Sequence, residues 1–260
     1  MKRLLRHAAA ALTAGALSIG TAHAVLITQW AYTNEAGWSS FTGEGTITPS
    51  GNSGSILGLP TTLTWGTNNT SSLVADSPVS GIIFTNGAPQ QGVPLTHNNF
   101  EIALGISLTS AMLRDALRLQ PIVPPGAAFD APTLEFDISF LETPNAPAGG
   151  ICADGSPVAN GCPDIFVLNN PGELAPVSFI IDDYEYTVTI NAVGLGPLSD
   201  QACAAVGAGP GCIGFITPEN QVSTLMTFFT ITARQIPEPG LLGLLGISLG
   251  ALGFSRRRMK

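Results

Sequence analysis

Alternating hydrophobic and polar positions recur along most of the chain after residue 25, and this two-residue period predicts β-strands with one buried face. The clearest case is Leu134–Leu141, whose hydrophobic residues share one face while Glu135 and Asp137 occupy the other. A final strand is predicted at residues 222–233. Four further segments alternate in the same way: Leu26, Thr28, Trp30 and Tyr32; Ile102, Leu104, Ile106 and Leu108; Val177, Phe179 and Ile181; Tyr184, Tyr186, Val188 and Ile190.

Turns rich in Gly, Pro, Asn and Ser separate these segments, and Asp182-Asp183 predicts a hairpin turn between two of them. Residues 111–119 fit a short helix and a strand about equally well. No linker or repeat divides residues 25–235, so the predicted fold is all-β, with a single β-sandwich domain. A jelly-roll-like strand order and an immunoglobulin-like one fit this pattern equally.

The basic residues are concentrated at the two ends of the chain. They are Lys2, Arg3 and Arg6 at the start, and Arg256, Arg257, Arg258 and Lys260 at the end. Residues 25–236 contain 17 acidic residues but only three arginines, Arg114, Arg118 and Arg234. Nucleic-acid binding needs clustered Lys and Arg to neutralise phosphates, so this composition argues against a nucleic-acid partner.

Residues 1–24 have the features of a secretory signal peptide. Basic residues come first, an apolar run follows at 8–19, and Ala22-His23-Ala24 supplies a cleavage site for signal peptidase. The apolar run is shorter than the ~20 residues that a membrane-spanning helix needs. The sequence therefore predicts export, with Val25 as the first residue of the mature chain.

Residues 236–260 contain three parts in a fixed order. They are the motif Pro237-Glu238-Pro239, an apolar stretch at 240–254, and a basic end with Arg256, Arg257 and Arg258. As a helix, the non-basic stretch would span about the 30 Å of a bilayer's hydrocarbon core. The positive-inside rule would keep the basic end in the cytoplasm and the body outside. The order of these parts predicts a C-terminal transmembrane helix.

This tail resembles the PEP-CTERM sorting signal of Gram-negative bacteria, although Gly240 stands where the family more often has Ser or Ala. The resemblance implies that the exported chain is held on the periplasmic side of the inner membrane by its tail. An exosortase would then process it near the Pro-Glu-Pro motif and release it to the cell surface or extracellular matrix. A plain C-terminal membrane anchor is the alternative.

Four cysteines, Cys152, Cys162, Cys203 and Cys212, predict disulfides in an exported protein. Four cysteines allow three pairings. The spacings favour Cys152–Cys162 and Cys203–Cys212, each of which closes a short loop. A zinc site is the alternative, but there is no C-x-x-C motif, and cleavage after Ala24 would leave one histidine, His97.

The sequence contains no convincing catalytic set. Glu135 and Asp137 could form the carboxylate pair of a glycosidase, but an alternating acidic strand is usually the solvent face of a sheet. Asp183 and Glu185 could bind calcium, although no EF-hand or nonapeptide repeat supports this. We expect no enzyme activity and no bound cofactor or metal. The three tryptophans, Trp30, Trp38 and Trp65, could stack on sugar rings, but core positions are the commoner outcome.

Thr96, His97 and Asn99 reproduce the Thr-His-x-Asn motif of the THxN family of PEP-CTERM proteins. The resemblance continues at residues 63–66 (LTWG), 140–145 (FLETPN) and 162–166 (CPDIF). The family has no established activity, so it implies an exported domain of unknown function without catalytic residues. From the residues alone, the motif could cap backbone groups at a strand–loop junction. A ligand pocket that uses the His97 ring is the alternative.

The predicted function is that of an exported, non-enzymatic surface or matrix protein. The family resemblance suggests extracellular polysaccharide as a further partner. The competing hypothesis is a secreted lectin or glycan hydrolase that acts through Trp65, His97 and the acidic strand faces.

Overall fold

The computed structural model describes residues 25–67, 69–103 and 105–237. The strands are β1 (Gln29–Gly43), β2 (Thr48–Ser50), β3 (Thr62–Trp65), β4 (Ser71–Ala75), β5 (Val79–Phe84), β6 (Gln90–Gln91), β7 (Leu95–Asn99), β8 (Leu108–Val123), β9 (Phe129–Asp130), β10 (Leu134–Leu141), β11 (Asp164–Leu168), β12 (Val177–Ile181), β13 (Tyr184–Val193), β14 (Gly196–Pro197), β15 (Ile213–Thr217) and β16 (Gln221–Gln235). One 3₁₀ turn, Pro171–Leu174, and one short helix, α1 (Asp200–Ala205), complete the elements. The all-β prediction is confirmed.

The strands form two eight-stranded antiparallel sheets. The first has the order β14-β15-β11-β10-β8-β1-β5, with β9 paired to β8. The second has the order β12-β13-β16-β7-β4-β3-β2, with β6 paired to β16. Sequence alternation could not give this order, because the pairing partners are distant along the chain.

Hydrophobic side chains from both sheets meet in two core clusters, which gives the molecule the architecture of a β-sandwich. In one cluster, Trp30 of β1 packs edge-on against Tyr186 of β13, with ring centroids 5.1 Å apart. In the other, Trp38 of the first sheet shares a cluster with Leu63 and Leu73 of the second. Two sheets whose inward residues alternate with outward polar ones bury their apolar faces in this way.

Strand β11 is buried on both faces, which explains the position of the helix and the cysteine loops. Phe166 faces the interior of the sandwich, whereas Ile165 and Val167 face outward and are covered by Ala202 of α1. The side chain of Ser199 caps this helix by accepting a hydrogen bond from the Ala202 amide, at 3.1 Å.

The disulfides connect Cys152 to Cys162 and Cys203 to Cys212, with Cα–Cα distances of 5.4 and 5.7 Å. This is the pairing that the sequence favoured. The second bridge ties α1 to the residue that precedes β15.

Two segments show where alternation alone was ambiguous or misleading. Residues 111–119 lie in β8, because β1 and β10 pair with it on either side and leave no room for a helix. The predicted strand at Ile102, Ile106 and Leu108 is wrong for its first part. The described residues there form a loop in which Gly105 has a φ of 79°, and the strand begins at Leu108. Leu104 lies outside the described residues. The hairpin turn at Asp182-Asp183 is confirmed, since Ile181 pairs with Tyr184.

Candidate functional site

At one end of the sandwich, the inward-facing positions change from hydrophobic to polar. Strand β10 places Phe136, Ile138 and Phe140 inward, and the next position of the same parity, just beyond the strand, is Glu142. Strand β11 begins with an inward Asp164. We call Glu142, Asp164 and Glu219 the carboxylate cluster.

Strand pairing brings these residues together from three parts of the chain. Leu141 is paired with Ile165, so Glu142 follows β10 at the point where Asp164 begins β11. Asp164 is paired in turn with Thr217, the last residue of β15. Residues 218–220 then cross from the first sheet to β16 of the second, and this connection carries Glu219.

One oxygen from each carboxylate of the cluster lies within 4.8 Å of the others. All three side chains are buried, and Glu142 is the most exposed of them at 9%. The Asp164 Oδ1 atom accepts a hydrogen bond from the Thr143 amide at 2.9 Å, and Glu142 Oε2 accepts one from Trp65 Nε1 at 3.2 Å. Few hydrogen-bond donors therefore serve these three buried carboxyl groups.

His97 lies beside the cluster, on the inward face of β7. Its Nδ1 atom is 2.8 Å from Thr217 Oγ1, and its Nε2 atom is 4.0 Å from Asp164 Oδ2. The ring stacks on Trp65, with centroids 5.7 Å apart and an interplanar angle of 16°. Phe166 also contacts it edge-on, at 4.9 Å. The imidazole is enclosed by aromatic rings on several sides.

Burial controls the protonation of this region. It lowers the pKa of His97 to about 3, so the ring is neutral. It raises the pKa of Glu142 to about 7. Burial, followed by the charge of Glu142, raises the pKa of Asp164 to about 9, and burial also raises the pKa of Glu219. Since the charged forms are disfavoured, the cluster has to share protons or bind a cation to remain buried.

Several buried polar atoms in this region have no hydrogen-bond partner among the described residues. They are His97 Nε2, Asn99 Oδ1 and Asn145 Oδ1, together with Glu142 Oε1, Asp164 Oδ2 and both carboxylate oxygens of Glu219 when these acids are ionised. A shared proton would let Glu142 and Asp164 hydrogen-bond to each other, and the backbone amide of Asn220 faces Glu219. Buried polar side chains are normally paired, so a group of unpaired atoms at one location needs an explanation.

The residues of the Thr-His-x-Asn motif have different roles in the structure. Asn99 caps backbone groups, as expected, because its Nδ2 atom donates to the carbonyls of Thr217 and Pro218 at 3.1 and 3.3 Å. His97 bonds to a hydroxyl rather than to the backbone. Thr96 points to the opposite face, where its hydroxyl lies 3.0 Å from that of Thr224.

The acidic residues that the sequence singled out lie elsewhere. Glu135 is exposed and forms an ion pair with Arg114 at 2.7 Å, so it belongs to the solvent face, away from the carboxylate cluster. Glu185 forms an ion pair with Arg234. Asp137 and Asp183 are not part of the cluster either.

The three tryptophans, Trp30, Trp38 and Trp65, are at most 1% exposed. Their faces are therefore covered by the core and not presented to sugars at the surface.

Sequence reasoning missed Glu142, Asp164 and Glu219 as a group. A usable signal was present, because Glu142 and Glu219 continue the inward parity of β10 and β15 beyond the last strand residue. Alternation identifies the face of the sheet on which a residue lies. The strand order, which alternation does not give, decides which strand ends lie next to each other.

Comparison with known families gives one match, at the end of the chain. Residues 235–258 match the model of the PEP-CTERM protein-sorting motif. The chain carries a PEP-CTERM sorting motif. A search of curated proteins finds no match to this chain. The PEP-CTERM motif indicates an exported protein that an exosortase processes at the membrane.

The PEP-CTERM motif begins where the sandwich ends. Gln235 is the last residue of β16 and pairs with Tyr184. The amide of Ile236 donates to the Asp183 carbonyl at 2.7 Å, and Pro237 is exposed. This backbone hydrogen bond of Ile236 lies directly before Pro237, the first residue of the Pro-Glu-Pro sequence.

The other residues predicted for export and sorting lie outside the described residues. They are Ala22 and Ala24 of the signal cleavage site, Glu238 and Pro239 of the motif, and Arg256, Arg257 and Arg258 of the basic end. In residues 25–67, 69–103 and 105–237, no helix is both long and apolar enough to cross a membrane.

A separate apolar cavity of about 110 Å³ lies between the sheets. It is lined mainly by hydrophobic residues, and its polar residues include Asn34 and Asp115. Asn34 Nδ2 donates to Asp115 Oδ1 at 2.9 Å, and Asn34 Oδ1 accepts from the Val93 amide at 2.9 Å. The carboxylate cluster does not line this cavity.

Asp115 makes stability depend on pH. Burial raises its pKa to about 6, and the bond from Asn34 offsets this only in part. An acid with a raised pKa binds its proton more tightly in the folded state, so stability falls as the pH rises from about 4 to about 6. We expect Asp115→Asn to increase the free energy of unfolding at pH 7.5 by about 1–2 kcal/mol.

Urea unfolding of both proteins at pH 7.5 and pH 4 measures this effect. The variant keeps an oxygen that can accept from Asn34, so the difference should disappear at pH 4, where Asp115 is protonated in the wild type. An equal difference at the two pH values would contradict the assignment.

Proposed function

We propose that the protein is an exported surface or matrix protein, whose sandwich is delivered by a signal peptide and released by an exosortase. The observation that carries this proposal is the PEP-CTERM sorting motif at residues 235–258. The proposed organisation is a signal peptide at 1–24, an exported domain at 25–235 and a sorting tail at 236–260.

The position of the motif supports release of an intact domain. The strand β16 ends at Gln235, and the exposed Pro237 follows after one residue. Cleavage near Pro237-Glu238-Pro239 would leave both sheets complete. The mature body would carry a large excess of acidic over basic residues, which suits a solvated existence among extracellular polysaccharides.

The proposed route through the cell follows from the two ends. Signal peptidase would cut after Ala24, and the apolar tail would hold the body on the periplasmic side of the inner membrane. The basic residues Arg256, Arg257 and Arg258 would stay in the cytoplasm. An exosortase would then cut the tail and pass the body to the surface or the matrix.

Membership of the THxN family is part of this proposal. The segments that carry the resemblance are far apart in sequence, but they provide Trp65, His97, Asn99, Glu142 and Asp164 to one end of the sandwich. Their convergence supports a shared structural unit as the reason for the pattern.

A non-enzymatic role is favoured by the burial of this unit. Glu142 and Asp164 are close enough for the carboxylate pair of a retaining glycosidase. However, Asp164 and His97 have no exposed surface, and Glu142 is buried and accepts a hydrogen bond from Trp65. A sugar ring would have no path to these carboxylates without opening the sandwich.

Sorting can be tested with the full chain expressed in a host that has an exosortase. Changing Pro237, Glu238 and Pro239 to alanine should retain the protein in the inner membrane with its tail attached. Changing the three terminal arginines to serine should have a similar effect. The wild type should be found outside the inner membrane without the tail.

Arg234→Ser is the matched control, because it removes a basic residue just before the motif without altering the tail. Its distribution between cell fractions should follow the wild type. If the motif variant and the wild type were distributed identically, sorting by the tail would be wrong.

A further inference from the structure

The carboxylate cluster lacks a counter-charge within the described part of the chain. The three arginines of the described residues each form an ion pair elsewhere: Arg114 with Glu135, Arg118 with Asp130 and Arg234 with Glu185. The segment between residues 25 and 236 has no lysine. A buried carboxylate that stays ionised needs a paired cation or a bound metal, and the described part of this region offers no cationic side chain.

Unpaired polar side chains beside the cluster point independently to a ligand. His97 is completely buried, and its Nε2 atom faces Asp164 Oδ2 at 4.0 Å, which is too long for a hydrogen bond. Asn99 is also completely buried. Its Nδ2 holds the backbone just before Glu219, whereas its Oδ1 has no partner in the described chain.

The side chain of Asn145 brings a further amide oxygen, a possible metal ligand by its chemistry, next to Glu219. A Cβ on Gly161 would lie 2.8 Å from Asn145 Oδ1 and 2.6 Å from Glu219 Cγ, so both side chains lie against this glycine. Gly161 has a φ of 94°, and because it has no side chain it leaves the space that Glu219 occupies.

We propose that Glu142, Asp164 and Glu219 bind one calcium ion, with the amide oxygens of Asn99 and Asn145 as additional donors. The donors are oxygens, which calcium prefers, and they include several carboxylates and amides. Their spacing also fits. Calcium–oxygen distances are about 2.3–2.6 Å, so two ligands of one ion can be ~5 Å apart, which covers the 4.8 Å spread. Magnesium, at about 2.1 Å, would require the cluster to contract.

Calcium would add a link between the first sheet and the connection that leads to the second. Its ligands would come from the end of β10, the start of β11 and the connection between β15 and β16. The last of these crosses between the sheets. Binding would therefore hold the sheets together at this end of the sandwich. Calcium sites of extracellular modules have dissociation constants of about 0.1–1 mM. This inference does not depend on how the tail is processed.

The direct test is titration of the full-length, disulfide-bonded chain in detergent, after EDTA treatment and dialysis. Isothermal titration calorimetry should show one calcium ion per chain. At 2 mM calcium the melting temperature should rise by about 5 °C, and magnesium at the same concentration should have a smaller effect. Absence of both binding heat and a melting shift with calcium would overturn the proposal.

Isosteric variants locate the site. Glu219→Gln and Asp164→Asn should each abolish the calcium-dependent melting shift, because each replaces a carboxylate ligand of the ion with a neutral amide. Glu135→Gln, on the outward face of β10, is the matched control and should keep the full shift. A full calcium-dependent melting shift in Glu219→Gln would overturn the assignment of these ligands. If a variant does not fold, the wild-type titration alone decides whether calcium binds.

Terbium luminescence provides a second readout. Trp65 donates to Glu142, so its indole lies next to the proposed ion and should sensitise bound Tb³⁺. Calcium should reverse the signal. Trp65→Phe should lose most of the sensitised emission while calorimetry still detects calcium, and Trp30→Phe, in the other core cluster, should keep it. Emission that is unchanged in Trp65→Phe would contradict this location.

Discussion

Replacing Trp65 with alanine is expected to lower the free energy of unfolding by about 3–5 kcal/mol. The indole is 1% exposed and fills the core at the end of β3. It stacks on His97 and meets Phe140 edge-on at 5.3 Å, and such ring pairs contribute beyond their buried area. The substitution also removes a hydrogen bond to the buried carboxylate of Glu142.

Chemical denaturation followed by the fluorescence of the remaining tryptophans measures this loss. Trp65→Phe is the control, because it retains an aromatic ring against His97 and loses mainly the indole hydrogen bond. We expect it to cost about 1–2 kcal/mol. If Trp65→Ala remained within 1 kcal/mol of the wild type, Trp65 would not hold this end of the sandwich together.

Gly214→Ala should destabilise the protein by about 3 kcal/mol, near the upper end for overpacking. A Cβ at Gly214 would lie 2.0 Å from the Phe166 carbonyl oxygen and 2.8 Å from Leu198 Cδ1. The first of these is backbone and cannot rotate away, so β15 would have to move away from β11. That movement would also separate Thr217 from Asp164, its partner in the sheet.

Gly196→Ala is a matched control for this substitution. Gly196 lies in β14, directly opposite Gly214 in the sheet, but a Cβ there would have no atom within 4 Å. Thermal unfolding should show a large loss for Gly214→Ala and almost none for Gly196→Ala. Equal losses of stability would mean that the close approach of β11 is not what requires glycine at position 214.

The fold class could be predicted because alternation is a local property. Leu134–Leu141 was assigned correctly from its period, and the structure gives it one buried face. The same period failed at residues 102, 103 and 105–107, where Gly105 adopts a left-handed conformation that alternation does not detect. Residues 111–119 were ambiguous, because their strand conformation depends on pairing with β1 and β10.

The candidate site was only partly accessible from the sequence. His97 and Asn99 were identified as a motif, and Asp164 lies in a segment of the same resemblance. Their proximity to each other and to Glu219 could not be predicted, since strand order brings them together. The acidic residues that were weighed as a glycosidase pair, Glu135 and Asp137, follow the outward face of β10, which is the solvent-face alternative that the sequence favoured. The inward residue Glu142 lies one position beyond the same strand.

The sorting tail could be recognised from sequence because its information is linear. Its motif, apolar stretch and basic end follow one another along the sequence, and the family model matches residues 235–258. The structure adds that the sandwich is complete at Gln235, so the tail can be removed without breaking a strand.

Export and sorting can be tested by intact-mass measurement of the mature protein, purified from its own cells. We expect a single species that begins at Val25, contains both disulfides and ends near Pro237-Glu238-Pro239. A species that begins at Val25 but still extends to Lys260 would contradict this expectation, because the tail would then be an ordinary membrane anchor.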